Sequence, residues 1–569
     1  MNKDRWIIIK FTFLFLLPSI FIFRLFIIQI WQKKDLEKKI ERQISSKIKL
    51  SVTRGDILDR NNKILATSIE FASVYINSKP FLEGINKFSK KINIEHNFYL
   101  IENISKLNKE RILNLCNKNK RFCIAEKIAL NDAVKLENIP GIEIVRYPLR
   151  IYPYGKTGSY VIGRLNKENI PYSGIELEFD NILSQIKTKE ISIYKSGGIR
   201  KKSIRLVNIN DVIEFTEKNK NPTVILTLDF PLQVKIENLL KKYYDFLNPS
   251  LIICIVQKVD TGEILVMATL PETDIPYKNP AIDNVYEPGS IFKIFPMAIF
   301  LEEKIITKEE IIDCENGKFV YYDKVISDVK PHKFLSVEDI IVYSSNIGMT
   351  KLFLKYKKDK EFFNYLRLLG FGSATGIEFS NESKGYIPKT SDKIYSLLTP
   401  INVTFGQGLT STPLQIINGY TMIANNGELL QPYIVKEIID EDKNILYKGE
   451  KRIIRKVLSS STCEVIKNML YKTVEYGSAQ RTKIPGLKIC AKTGTAQKFD
   501  FELDKYSNTR YLMSCCGFFP LESPEFTIGV FVDEPKKGAL ASEVAVPIFR
   551  DVILEILNHY SVIKYAKAN

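Results

Sequence analysis

An apolar run near the start of the chain, WIIIKFTFLFLLPSIFIFRLFIIQIW from Trp6 to Trp31, constrains this sequence more than any other feature. About 20 apolar residues suffice to cross a bilayer as a helix. In lipid such a lone segment has to be helical, because each backbone polar group must find its partner within it. Lys10 and Arg24 interrupt the run. Arg24 lies near enough to one end to snorkel, and Trp6 and Trp31 stand where interface anchors belong. No small-residue cleavage site follows, so the expectation is an uncleaved anchor. Flanking charge does not set its orientation. Lys3, Arg5 and Lys10 precede the run, and Lys33, Lys34, Lys38 and Lys39 follow it.

The 569 residues exceed one ordinary domain and imply two or three. With 45% hydrophobic residues, each domain can bury a core, and no segment has the low hydrophobicity of a disordered tail. The net charge of +17 is spread through a Lys-rich chain. No basic block interleaved with aromatics stands out, so a nucleic-acid partner is not expected, although anionic lipid or wall polymer suits the charge. None of the eight cysteines forms a CxxC pair, which argues against zinc. Cys116 and Cys123 could pair in an exported segment. Cys515 and Cys516 are neighbours on an expected strand and should face opposite sides of it. The three histidines, His96, His332 and His559, belong to neither HExxH nor a Ser-His-Asp arrangement. A nucleophilic serine in this chain must use another base.

SVTRGDILDRNNKILATS reads as strand, turn, strand, with Asn61-Asn62 at the turn. Lys106 to Cys116 has helical character, and Gly141 to Asp180 reads as extended segments punctuated by Pro and Gly. The pattern changes at Pro222. TVILTLD is an expected strand, and FPLQVKIENLLKKYYDFL has helical spacing. LIICIVQKV and EILVMATL form a hairpin over Asp260-Thr261-Gly262. Helices follow, then the strands LKICAKTG, YLMSCCGFF and FTIGVFVD, and a last helix from about Val546 to Leu557. Strands, then helices, then strands that rejoin the first predict an α+β or α/β domain with an antiparallel sheet flanked by helices. The expected organisation is an anchor over residues 1–35, a mixed non-catalytic pedestal or dimerisation-type module over 36–220, and a catalytic domain over 221–569.

Pro288 and Gly289 break the chain before Ser290, and the helical run FKIFPMAIF follows. Ser290 is thus expected at a helix start, where backbone N–H groups favour developing negative charge. Lys293, three residues on, shares its face. A desolvated lysine beside other cations can lose its proton and act as base, which answers the missing histidine. Ser344-Ser345-Asn346 follows the expected helix SVEDIIVYS. Its serine can relay a proton, and its asparagine amide can hold a peptide group. Lys492-Thr493-Gly494-Thr495, ending LKICAKTG, suits carboxylate recognition, and Gly494 lets the strand edge approach a ligand. Each motif alone has a bland reading, as a cap or a turn. The three together and in this order are hard to obtain by chance.

SxxK, SxN and KTG in this order resemble the active-site set of penicillin-binding proteins and serine β-lactamases. RGDILDRNNKILATS (Arg54 to Ser68) and SGIELEFD (Ser173 to Asp180) resemble segments of the non-catalytic module of class B penicillin-binding proteins. TFGQGLTSTPLQ, GTAQK and YLMSCCGFFP are similar to the family too, the last to its division-specific, FtsI-type branch. The segment GALASEVAVPIF (Gly538 to Phe549) departs from the family pattern, in which relatives usually carry a paired glycine before the final helix.

The resemblance implies a peptidoglycan D,D-transpeptidase at the division septum. Ser290 would be the nucleophile, Lys293 the base and Ser344 the proton relay. Asn346 would hold substrate and steady Lys293, and Lys492, Thr493 and Thr495, with Gly494 between them, would form the carboxylate site. The N–H groups of Ser290 and Thr495 would make the oxyanion hole, worth ~3–4 kcal/mol per donor in comparable sites. The resemblance further implies stem peptides as substrate, β-lactams as acylating inhibitors, no cofactor and no metal. It also implies residence in the inner membrane, with the catalytic domain outside, and division-complex partners including an FtsW-type glycan polymerase. An elongation-type class B enzyme is the nearest alternative. A penicillin-sensing receptor would usually carry several spans, and a soluble β-lactamase or carboxypeptidase would lack the Arg54 to Asp180 module.

Overall fold

The computed structural model describes residues 23–27, 45–87, 91–185, 188–194, 220–273, 275–322, 324–500 and 505–568. Apart from residues 23–27, the apolar run Trp6 to Trp31 lies outside them. Among the described residues no helix is long and apolar enough to cross a membrane. The chain forms two compact units. One gathers Met1–Thr53, Glu70–Tyr147 and Ile186–Lys220, the other Arg54–Ile69, Pro148–Gln185 and Asn221–Asn569. This division does not follow a single cut near residue 220.

The larger unit is built on a five-stranded antiparallel sheet. Its strands lie in the order Cys490–Asp500, Lys505–Phe519, Phe526–Asp533, Leu251–Lys258, Ile264–Leu270. The late strands rejoin the early hairpin as expected, through unbroken pairing from Phe526 against Lys258 to Asp533 against Leu251. Continuous apolar runs mark strands covered on both faces, and Ile264–Leu270 is buried throughout. Cys515 and Cys516 do face opposite sides. Cys515 packs in the core with Ile548 and Val552 of the last helix, Cys516 in the core with Phe295 and Ile417.

The helix predicted at FPLQVKIENLLKKYYDFL runs Phe230–Leu247, started by the Asp229 side chain accepting from Leu232 N and ended by Asn248 in the left-handed region. The last helix is longer than expected, Ala541–Ala568, with Pro547 inside it. The Glu543 carboxylate takes the Ala539 N–H and Thr495 Oγ1 takes the Ala541 N–H, so the helix start is held by a local cap and by one contact from the distant edge strand. Two further readings need correction. LKICAKTG does not end a strand at Gly494, because the strand continues to Asp500. Gly141 to Asp180 is extended only over Ile142–Ile151; short helices at Ser159–Ile162, Gly174–Glu178 and Asp180–Leu183 follow.

Those short helices carry a buried ion network. Glu176, fully buried, accepts from Arg54 Nε and Arg150 Nε at 2.7 Å each. Arg54 also bonds Asp180 and the Glu176 carbonyl, and Arg150 Nη1 donates to Gly55 O at 2.7 Å. Buried charges persist when paired and hydrogen-bonded in this way. The turn at Asn61-Asn62 forms as read, with Asp59 Oδ1 accepting from the Asn61 and Lys63 N–H groups. In the smaller unit, the helices Ser78–Lys87, Lys91–Ser105 and Lys109–Lys118 close over a core containing Phe81, Phe98, Ile101 and Ile112. Cys116 and Cys123 are both free thiols.

Candidate active site

Three stretches far apart in sequence build the site. In the first, Gly289 adopts φ +59° and its N–H donates to Gly406 O at 2.9 Å. Gly406 itself has φ +83°, and a Cβ there would lie 2.1 Å from Gly289 O. The TFGQG turn therefore backs the nucleophile turn at backbone distance, which only glycine allows. Residues Gly289–Phe292 form a single 3-10 turn that runs directly into the helix Ile294–Glu302, itself almost wholly buried. This leaves Ser290 half-buried at a helix start and Lys293 fully buried.

The second stretch lies between the helices Val337–Val342 and Asn346–Tyr356. Ser345 caps the second of these, its Oγ accepting from Gly348 N at 2.9 Å. Ser344 sits in the junction with φ +61°, a conformation costly for a non-glycine residue. The third stretch is Lys492–Ala496 on the sheet's edge strand. A Cβ on Gly494 would lie 2.7 Å from Ser514 Oγ and 3.0 Å from Ile291 Cγ2, so strand and nucleophile turn touch through glycine.

Ser344 joins the stretches. Lys293 Nζ donates to Ser344 O at 2.6 Å and Ser344 Oγ at 3.2 Å. Lys492 Nζ donates to the same Oγ at 2.9 Å and to Thr493 O at 3.1 Å. Burial holds the Lys293 amine well below the usual lysine range, and the neighbouring Lys492 charge pushes it the same way; Asp328 opposes both. Burial brings Lys492 down to about 7. Two cationic amines on one hydroxyl in a water-poor site are mutually unfavourable, so the arrangement favours a neutral amine that can accept a proton.

The remaining predicted residues are nearby with other partners. Asn346 Nδ2 donates to Ser327 O at 3.0 Å, and among the described residues no hydrogen bond joins it to Lys293. Thr493 Oγ1 pairs with Ser478 Oγ at 2.7 Å, and Thr495 Oγ1 accepts from Ala541 N at 3.1 Å. Lys293 makes its side-chain hydrogen bonds to Ser344, not to Ser290.

Sequence reasoning missed three supporting groups. Asp328 binds the SxN turn, and Ser478 holds Thr493. Glu287 accepts from Gly408 N at 2.8 Å and Tyr506 Oη at 3.1 Å, tying the nucleophile turn to two other segments. Burial raises its carboxyl above the ordinary range. Glu287 adjoins Ser290 and was open to suspicion on that ground. Asp328 and Ser478 lie in loops with no local pattern.

Residues 252–554 match the family described as the penicillin binding protein transpeptidase domain, and residues 49–206 match the penicillin-binding protein dimerisation domain. The peptidoglycan D,D-transpeptidase FtsI homolog of Mesostigma viride is 29% identical, over 98% of this chain and 97% of its own length. Peptidoglycan D,D-transpeptidase FtsI of Buchnera aphidicola (subspecies Schizaphis graminum) is also 29% identical, over 97% and 94%. Penicillin binding protein 3 of Mycobacterium, solved with aztreonam, superposes with a TM-score of 0.67 at 22% identity, covering 90% of this chain and 98% of that one. Penicillin binding protein 2X of Streptococcus thermophilus gives 0.73 at 21% identity, over 89% and 80%.

Proposed function

The chain belongs to the penicillin-binding protein transpeptidase family, and from that premise we propose that it cross-links peptidoglycan stem peptides through an acyl-enzyme on Ser290. The observation that carries the reading is the single hydroxyl, Ser344 Oγ, shared by the buried amines of Lys293 and Lys492 beside the Ser290 turn. Ser290 Oγ attacks the penultimate D-Ala carbonyl and gives its proton to Lys293. The N–H groups of Ser290 and Thr495 face the developing oxyanion. Collapse breaks the peptide bond, and terminal D-Ala leaves with a proton relayed through Ser344. The amine of a second stem then attacks the ester, forms the new peptide bond and frees Ser290. One amide is broken and one is made, so no cofactor enters the balance.

Substrate lies along the edge strand Cys490–Asp500, whose outer N–H and C=O groups offer a place for one more strand. Lys492, Thr493 and Thr495 take its carboxylate, and the close approach at Gly494 keeps that strand against the nucleophile. Asn346 holds the stem peptide through its amide. β-Lactams enter the same site and stop at the ester. The likeness to FtsI-named enzymes over nearly the full chain supports a septal role. With it go anchoring of residues 1–35 in the inner membrane, a non-catalytic pedestal or dimerisation-type module over 36–220, a catalytic domain over 221–569, and an FtsW-type glycan polymerase among the division partners. The test is intact mass after incubation with a labelled penicillin, followed by peptide mapping. One adduct on the Ser290 peptide is expected. An adduct on Ser344, or none, overturns the assignment.

A further inference from the structure

We propose that Asp328 is a positioning residue for this reaction, holding the Ser344-Ser345-Asn346 turn in the conformation that brings Ser344 to both lysines. The proposal rests on the roles given above to Ser344 and Lys293. Asp328 follows the strand Lys324–Ser327 of a two-stranded hairpin with Lys318–Tyr321. Its own N–H donates to Gly317 O at 3.1 Å. Its Oδ1 accepts from Asn346 N at 2.5 Å and Ile347 N at 3.1 Å, and its Oδ2 accepts from Ser345 Oγ at 2.5 Å. The preceding carbonyl, Ser327 O, takes Asn346 Nδ2.

The first N–H groups of a helix have no partner within it. In Asn346–Tyr356 these are met by Asp328 and by the Ser345 hydroxyl that Asp328 also binds. One carboxylate thus takes three donors from three consecutive residues, directly after Ser344. A non-glycine residue persists at φ +61° only where its surroundings over-determine it, and Asp328 supplies that constraint. The hairpin exposes one face, with Val325 63% exposed, and rests the other, Phe319, Tyr321 and Ile326, half-buried against the core.

Charge gives the carboxylate a second effect. The groups that act on the Lys293 amine are Lys492 from the edge strand, which disfavours its ammonium form, and Asp328 from the hairpin, which favours it. Asp328 also acts on the Cys314 thiol, which burial pushes up and on which Lys351 and Asp313 act as well. Asp328 therefore holds Ser344 in place and partly offsets the depression of Lys293.

Two substitutions separate these effects. Asp328→Asn keeps an acceptor oxygen for Asn346 and Ile347 but removes the charge. Asp328→Ala removes both. The measurements are the β-lactam acylation rate against pH and, independently of acylation, the titration of the Lys293 ammonium by nitrogen NMR, assigned with Lys293→Ala. Asp328→Ala is expected to slow acylation at least about tenfold, with Asp328→Asn recovering most of that rate. In Asp328→Asn the acid limb and the NMR titration should both move down by roughly one pH unit, the lower end of what one opposite charge does. A residue that only capped the helix would move neither. An unshifted titration in Asp328→Asn, or a normal rate in Asp328→Ala, overturns the proposal. If Asp328→Ala does not fold, Asp328→Glu, which keeps the charge but displaces the carboxylate, decides it, and a normal acylation rate in that variant overturns the proposal. A shifted titration in a protein that penicillin does not acylate would sink the Ser290 assignment and leave Asp328's effect on Lys293 standing.

Discussion

Lys293 and Lys492 converge on one hydroxyl, yet the proposed chemistry asks opposite things of them. Lys293 must be neutral to take the Ser290 proton, and Lys492 must be charged to hold a carboxylate. Burial moves both amines down, and at Lys293 the repulsion of Lys492 acts in the same direction. For Lys293 the sign is that acylation rises as pH rises through its depressed pKa. For Lys492, at about 7, carboxylate binding weakens as pH rises through that value. The second-order rate constant for acylation, which reports groups of the free enzyme, should therefore follow a bell whose descending limb lies well below the ordinary lysine range. Lys293→Ala should lower the whole profile by at least ~10²-fold, the size of a general-base contribution, while its thermal melt stays sharp. A Lys293→Ala protein acylated at the normal rate would place the base elsewhere.

Among the elements, the short helices Gly174–Glu178 and Asp180–Leu183 depend most on contacts distant in sequence. Glu176 is fully buried between Arg54 and Arg150, which approach from Arg54–Ile69 and Ile142–Ile151. Removing one partner of such a set leaves buried charge uncompensated, which costs about 3–5 kcal/mol. Glu176→Gln is expected to lower unfolding free energy by about 3 kcal/mol, read as the denaturant midpoint. The Ser290 acylation rate should hold under native conditions, since among the described residues no hydrogen bond of the network reaches the three catalytic stretches. A Glu176→Gln protein with unchanged midpoint would mean that the arginines find other acceptors.

For the molecule as a whole, the proposed chemistry demands a location. Its substrate is displayed on the outer face of the membrane, so Ser290 has to be there too. The cluster Lys33, Lys34, Lys38 and Lys39 argues weakly for the opposite orientation. Loop charge acts mainly over short flanks, however, and long domains translocate largely regardless of it. On the outer side those lysines would meet anionic headgroups. Protease added to intact spheroplasts should digest everything after Trp31 and leave a short N-terminal stub. Protection of the chain until the membrane is lysed would overturn both the topology and the wall-linking role.

What the sequence determined by itself was whatever is written in local pattern. The helix Phe230–Leu247, the central strands and the late strands that rejoin them follow from periodicity, caps and apolar runs, because those signals act over a few residues. Ser290, Lys293, Ser344 and Lys492 could be named because three short motifs stand in a telling order. Tertiary structure alone decided which groups meet. That Ser344 binds both amines depends on bringing residue 492 to residue 344. Asp328 has no motif, since an isolated aspartate becomes a cap only when a hairpin delivers it to a helix start. The helix at Gly174–Glu178 is likewise set by partners distant in the chain, the two arginines, and Thr495 adds a distant contact to the local Glu543 cap where the last helix begins at Ala541. Hydrogen bonds and ion pairs between far residues leave no periodic trace in sequence, whereas the apolar face of each element does.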